Sequence, residues 1–353
     1  MSLLRSSIVS ALLLCSTSTM ALSETPNVVA SIKPVHSLVA TIMQGVGSPQ
    51  LILEGASSPH TASFKPSQAG MLEQADIVFW VGEDLEPFLE KPIETIGSKA
   101  HAIALGEVQG VTHLAPREGG AFEAHDHDHD GHADHDDHAA HDHGDHDHGH
   151  DHEEHAHEGH DHDHEGHDHD SHAGHEHGHG EVDPHVWLDP ENARAMARVI
   201  TEELVEHDPD NKAAYEANLA ALNARLDSET AEIRDMLAPV KDKGFIVFHD
   251  AYQYFEKRFG LAAAGSITVS PEVIPGAERV SAIKAKIGEL GATCVFAEPQ
   301  FEPKLIAVVT EGTNARTGTL DPLGAALPAG PDQYFGLMND LATSLKDCLA
   351  GES

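Results

Sequence analysis

The sequence predicts an α/β protein: two lobes of parallel sheet joined by one long rigid helix and interrupted by a disordered His/Asp-rich insertion. Three observations predict it. Short apolar runs of strand length alternate with helix-length segments in both halves of the chain, the rhythm of parallel sheets covered on both faces. Between the halves runs an apolar stripe, free of Gly and Pro, on a helix of about 28 residues, roughly 40 Å long. Residues 122–180 are almost devoid of apolar side chains and densely charged.

The elements follow in order. Residues 1–23 carry one basic residue, Arg5, an apolar run from Ile8 to Cys15, and a small-x-small ending at Ala21-Leu22-Ser23. The run falls short of the roughly 20 apolar residues a membrane span needs, so it reads as a secretory signal peptide and the mature chain as exported and soluble. A lipoprotein reading of Cys15 is weaker, since Leu14 stands where a small residue is required. The first lobe is expected over 24–188, with strands at 27–32 (NVVASI), 50–55 (QLILEG), 75–82 (ADIVFWVG) and 101–105 (HAIAL), and helices at 36–46 and 65–74. Linking helices are expected over 189–240. Asp189-Pro190 sets an N-cap before Pro at the first helical position, opening a helix to about Glu206, and Asp208-Pro209 repeats the device. Beyond it Tyr215, Leu219, Leu222, Leu226, Ile233 and Leu237 recur at steps of three, four and seven, the apolar stripe of the strut. The second lobe, 241–353, resumes strands at 244–250 (GFIVFHD), 265–269, 294–299 and 316–324, with a helix at 276–290.

Charge narrows the class of ligand. The chain has 59 acidic and 21 basic residues and a formal net charge of −38. Such a chain repels polyphosphate, so nucleic acid is excluded as a partner and cations are the natural ligands. Of the 30 histidines, 23 lie within 125–180, beside 19 Asp or Glu and no Lys or Arg. A segment so poor in apolar surface cannot offset its ordering entropy and is expected to be disordered without a ligand. Its His-Asp repeats can hold several metal ions weakly, as a sponge or sensor of supply; the bland alternative is a solvated spacer.

Seven histidines lie outside the tract: His36, His60, His101, His113, His185, His207 and His249. His60 ends a strand-then-loop segment, EGASSPH. His185, in VDPHVWLDP, lies just ahead of the Asp189 cap, and His249 ends the apolar strand FIVFH. Ligands of open α/β sheets bind outside the carboxyl ends of the strands, so these three, one from each half and one from the junction, can converge between the lobes. Asp321 in TGTLDPLG is a fourth candidate, with a turn or cap role as its alternative. His36 reads as a helix-start residue, Glu54 as a remoter candidate, and Glu298, at a strand end, as a hydrogen-bonding group in the cleft. Three neutral imidazoles and at most one carboxylate suit Zn²⁺, whereas Mn²⁺, Ca²⁺ and Mg²⁺ prefer more oxygen. Copper fits on affinity alone, but its soft ligands are missing.

Removing residues 1–23 leaves Cys294 and Cys348, most simply a disulfide in an oxidising compartment and otherwise two buried thiols. Closing such a loop would stabilise the fold by about 4 kcal/mol in the chain-entropy model.

The segments SIKPVHSLVA, EGASSPH, ADIVFWVGEDLEPF, PHVWLDP, GFIVFHDAYQYFEKRFG, ATCVFAEPQF and GTLDPLG, with an acidic histidine tract before PHVWLDP, resemble the periplasmic zinc-binding proteins of high-affinity zinc-uptake ABC transporters, the ZnuA type. The resemblance covers essentially the whole mature chain. It implies a periplasmic solute-binding protein that holds Zn²⁺ between its lobes on His60, His185 and His249, and the chain is expected to be a monomer. It further implies delivery to a membrane permease driven by a cytoplasmic ATPase, and a second-lobe disulfide at Cys294–Cys348. The chain departs from some relatives in one place: Pro59 stands where they have a glutamate before the first histidine. The fourth ligand is thereby open between Asp321, water and a tract histidine.

Two rival readings come from other classes. A manganese- or iron-binding transport protein fits the fold equally, but a carboxylate at position 185 would suit those ions better than an imidazole. A secreted zinc hydrolase would rest on HEHGH at 175–179, a formal H-E-x-x-H match. That motif needs a regular helix, and here it lies in a Gly- and Asp-studded repeat; no enzyme is expected.

Overall fold

The computed structural model describes residues 25–117, 122, 182–268, 275–290, 294–301 and 304–351. The expected signal peptide and nearly all of the histidine tract lie outside the described residues. The first lobe alternates β1 (Val28–Ala30), α1 (Lys33–Ile42), β2 (Gln50–Leu51), α2 (Pro66–Glu73), β3 (Ile77–Trp80), α3 (Pro87–Thr95) and β4 (His101–Ala104). Its sheet is wholly parallel, in the order β2-β1-β3-β4. Two helices follow, α4 (Pro190–His207) and α5 (Lys212–Leu237). The second lobe then runs β5 (Phe245–His249), α6 (Gln253–Phe259), β6 (Ala263–Thr268), α7 (Ala277–Leu290), β7 (Cys294–Ala297), α8 (Lys304–Thr310), β8 (Arg316–Thr319) and α9 (Gln333–Ala350). Its sheet repeats the pattern as β6-β5-β7-β8, again parallel.

Strand alternation sorts the core. Val28, Ala30, Ile77 and Phe79 face one cluster, and Val29 and Val78 face a second with Leu72 and Leu89. In the second lobe Phe245, Val247 and Phe296 share the first cluster, while Ile246, Phe248 and Val295 turn outward to Ile283 and Val309. The first cluster is continuous from one sheet, through α4 and α5, to the other. Each sheet is thus buried on both faces, as parallel sheets require.

The linking helices form as their sequence dictates. Asp189 Oδ1 accepts the Glu191 N–H at 2.9 Å, capping α4 just before Pro190. α5 spans 26 residues, about 39 Å at 1.5 Å per residue. Its buried stripe is Tyr215, Leu222, Leu226, Ile233 and Leu237, with Leu219 packed at the margin. The stripe lies on α1 of the first lobe and α9 of the second. Cys294 and Cys348 are joined by a disulfide that ties β7 to α9.

Boundaries differ from expectation: β2 stops at Leu51 and β8 at Thr319, short of the expected 55 and 324. α1 begins at Lys33 rather than His36, because Pro34, lacking an N–H, is accommodated in a first turn whose N–H groups have no helical partner. His36 is therefore inside the helix and buried, its Nε2 3.2 Å from the Pro49 carbonyl. Among the described residues no helix is long and apolar enough to cross a membrane.

Candidate metal centre

His60, His185 and His249 meet. His60 comes from the loop between β2 and α2, His185 from the turn before α4, and His249 from the last position of β5. One donor atom from each lies within 4.8 Å of the others. His185 Nε2 is 3.2 Å from His60 Nε2 and 3.3 Å from His249 Nε2. His185 and His249 are 5% and 4% exposed, and His60 is the one imidazole open to the mouth.

Buried carboxylates orient two of the three rings. His185 Nδ1 donates to Asp183 Oδ1 at 2.8 Å, and the same oxygen accepts the His185 backbone N–H at 3.0 Å. His249 Nδ1 donates to Glu298 Oε1 at 2.7 Å. With both Nδ1 atoms acting as donors, the Nε2 atoms of the neutral His185 and His249 rings carry lone pairs. Lone pairs facing one another at about 3.3 Å form an arrangement that a cation completes. Two nitrogens bound tetrahedrally to Zn²⁺ at 2.0–2.1 Å would themselves stand about 3.3 Å apart.

The surroundings are close and largely apolar. Trp187 lies against His185, with centroids 5.4 Å apart, and Phe301 against His249 at 6.0 Å. Pro59, Trp187, Gln300, Pro322 and Leu323 close the walls around a cavity of about 10 Å³, room for an ion and not for an organic solute. Burial, and then the neighbouring imidazoles, hold His60 and His185 well below the usual histidine range. Burial acts in the same direction on His249, but the Glu298, Asp250 and Asp183 carboxylates outweigh it and raise that ring. Burial pushes the Asp183 carboxyl up to about 7, against the pull of the His185 N–H.

The other sequence candidates fall elsewhere. Asp321 does not belong to the trio. Its carboxylate braces its own loop, accepting from Leu323 N at 3.1 Å, Ala325 N at 2.5 Å and Gln300 Nε2 at 2.8 Å, which is the turn role open to an Asp-Pro pair. Glu54 is exposed and outside the trio. Glu298 hydrogen-bonds in the cleft as read from its strand-end position. Asp183 was missed by sequence reading; its signal was an acid two residues before a histidine, with Pro184 fixing the intervening turn.

Cross-lobe hydrogen bonds surround the site. Trp187 Nε1 donates to the Pro322 carbonyl at 2.8 Å, Tyr334 Oη to the Trp187 carbonyl at 2.9 Å, and Tyr254 Oη to the Asp183 carbonyl at 2.8 Å. Lys33 Nζ reaches from α1 to the Ala325 and Leu327 carbonyls at 2.6 and 2.8 Å.

A family model described as "Zinc-uptake complex component A periplasmic" matches residues 28–348. A Brucella suis protein named high-affinity zinc uptake system protein ZnuA is 55% identical over 327 residues, covering 93% of this chain and 92% of its own. A crystal structure titled as ZnuA superposes with a TM-score of 0.68 at 23% identity, over 92% of this chain and all of the other. The periplasmic zinc binding protein TroA of Treponema pallidum gives 0.68 at 18% identity, over 92% of this chain and 99% of its own, a likeness of fold.

Proposed function

The chain belongs to the family of periplasmic zinc-uptake components, and from that premise we propose that it captures Zn²⁺ on His60, His185 and His249 and delivers it to an ABC-transporter permease. The protein is a solute-binding component of an uptake system, not an enzyme. The observation that carries the ligand assignment is the pair of Nε2 separations, 3.2 and 3.3 Å, that bring His60 and His249 to His185, with the Nδ1 atoms of His185 and His249 already committed to carboxylates.

Zinc here is cargo. His60 belongs to the first lobe and His249 to the second, so the bound ion joins the two. The Asp183–His185 and Glu298–His249 pairs fix the rings and raise their basicity as ligands. Asp321, engaged with its own loop, leaves the fourth tetrahedral position to water. A nanomolar site corresponds to about −12 kcal/mol, within reach of three preoriented imidazoles in a dry pocket. Nitrogen-rich coordination favours Zn²⁺ over Mn²⁺.

Release follows from the same architecture. The continuous core along α5 and the cross-lobe hydrogen bonds favour a small rocking of the lobes over a wide hinge. The monomer therefore docks loaded, and a permease driven by a cytoplasmic ATPase distorts the site to free the ion. Residues 1–23 direct export to the periplasm, and the histidine tract at 122–180 is an accessory store of weakly held zinc.

Competition against a nanomolar zinc chelator tests the assignment, since only a tight site holds its ion. The full mature chain retains one Zn²⁺. His185→Ala or His249→Ala lowers affinity by more than the roughly 10- to 100-fold that loss of an outer-shell partner costs. Retention unchanged in either variant would sink the proposal.

A further inference from the structure

A second cluster of side chains able to ligate a metal lies where β4 of the first lobe meets the end of linking helix α4, away from the cleft. His101 is the first residue of the edge strand β4, at the amino end of the sheet, whereas the cleft histidines follow carboxyl ends. Glu203 and His207 stand four residues apart in the last turn of α4. One donor atom from each of the three lies within 4.8 Å of the others. His101 Nδ1 is 2.8 Å from Glu203 Oε2, and the two imidazoles stack with centroids 5.8 Å apart. His207 Nδ1 donates to the Glu203 carbonyl at 3.0 Å, which leaves its Nε2 with a lone pair. Glu203 Oε2 is shut off from solvent without a well-aligned hydrogen bond, while the His101 side chain is 55% exposed.

We propose that His101, Glu203 and His207 form a second Zn²⁺ site, weaker than the cleft and filled independently of it. Two imidazoles and one carboxylate with an open position for water are a recognised zinc set. Residues at i and i+4 share one face of a helix, so Glu203 and His207 can reach the same ion. The ion would lie at the carboxyl end of the 18-residue α4, where the backbone carbonyls favour positive charge. An exposed His101–Glu203 ion pair alone would contribute little and gives no part to His207. Bound zinc would tie the edge of the sheet to α4.

The test is zinc protection against diethyl pyrocarbonate on the full mature chain, read peptide by peptide by mass spectrometry. That readout keeps His101 and His207 apart from the cleft and the tract. The exposed His113, with Nε2 2.7 Å from the Gly106 carbonyl, is the control. At ten times the dissociation constant, zinc slows modification of His101 and His207 about tenfold, leaving His113 unaffected. His101→Asn removes the protection of His207 while the tightly held cleft zinc survives chelator competition. Equal reaction rates with and without zinc overturn the site, as does protection of His207 that persists in His101→Asn.

Discussion

Two trios of side chains able to ligate a metal, both closing to within 4.8 Å, differ in what stands behind them. In the cleft, two of the rings are buried and each gives its Nδ1 proton to a buried carboxylate, so the free nitrogens point inward. On the first lobe's rim, His207 is held only by a backbone carbonyl, and His101 lies open to solvent. Proximity gathers ligands, but preorientation in a dry pocket decides how tightly they hold an ion. On the reading proposed above, the difference would give the cargo to the cleft and a weaker role to the rim.

Acidity gives the widest lever on this contrast. His60 and His185 are held below the usual range and stay unprotonated in mild acid; His249 is raised and Asp183 lies at about 7. As acid protonates His249 and Asp183, zinc must displace one to two protons instead of three. Affinity then drops roughly 10- to 100-fold per pH unit once both groups are protonated. Calorimetry of the tight phase in buffers of different ionisation enthalpy counts those protons; three, or none, contradicts the scheme.

Outer-shell substitutions sharpen the comparison next. Glu298→Gln and Asp183→Asn each weaken the tight site by roughly 10- to 100-fold while leaving the three ligands in place. Chelator competition measures it, and unchanged affinity in both would remove the preorientation argument. Asp321→Asn has the smallest effect, less than about 1 kcal/mol on zinc affinity, because that carboxylate holds its loop and not the ion. A loss as large as that of Glu298→Gln would make Asp321 a ligand.

Much of this was legible in the sequence. The alternation of strand runs, the Asp189-Pro190 cap and the stripe from Tyr215 to Leu237 follow from local chemistry and match the fold, though the runs at 50–55 and 316–324 form only short strands. The three histidines could be picked out because each stood at the carboxyl end of a strand or at the junction, positions that topology brings together. α3 was not among the expected helices; it carries Pro87 at its first position, where a helix tolerates Pro, and Pro92 in its interior, where Pro usually argues against one. Asp321 and His249 both end strand-like runs, and no local pattern tells a carboxylate turned back on its own loop from an imidazole turned toward the other lobe. The rim cluster depends on β4 lying beside the end of α4, a contact between His101 and residues a hundred positions onward that no spacing encodes.

Diffraction at the zinc absorption edge, on crystals of the full mature chain given one equivalent of Zn²⁺, addresses the central claim most directly. One strong anomalous peak is expected about 2.0–2.1 Å from the Nε2 atoms of His60, His185 and His249. A peak elsewhere, with those three nitrogens left without an ion between them, would contradict that claim.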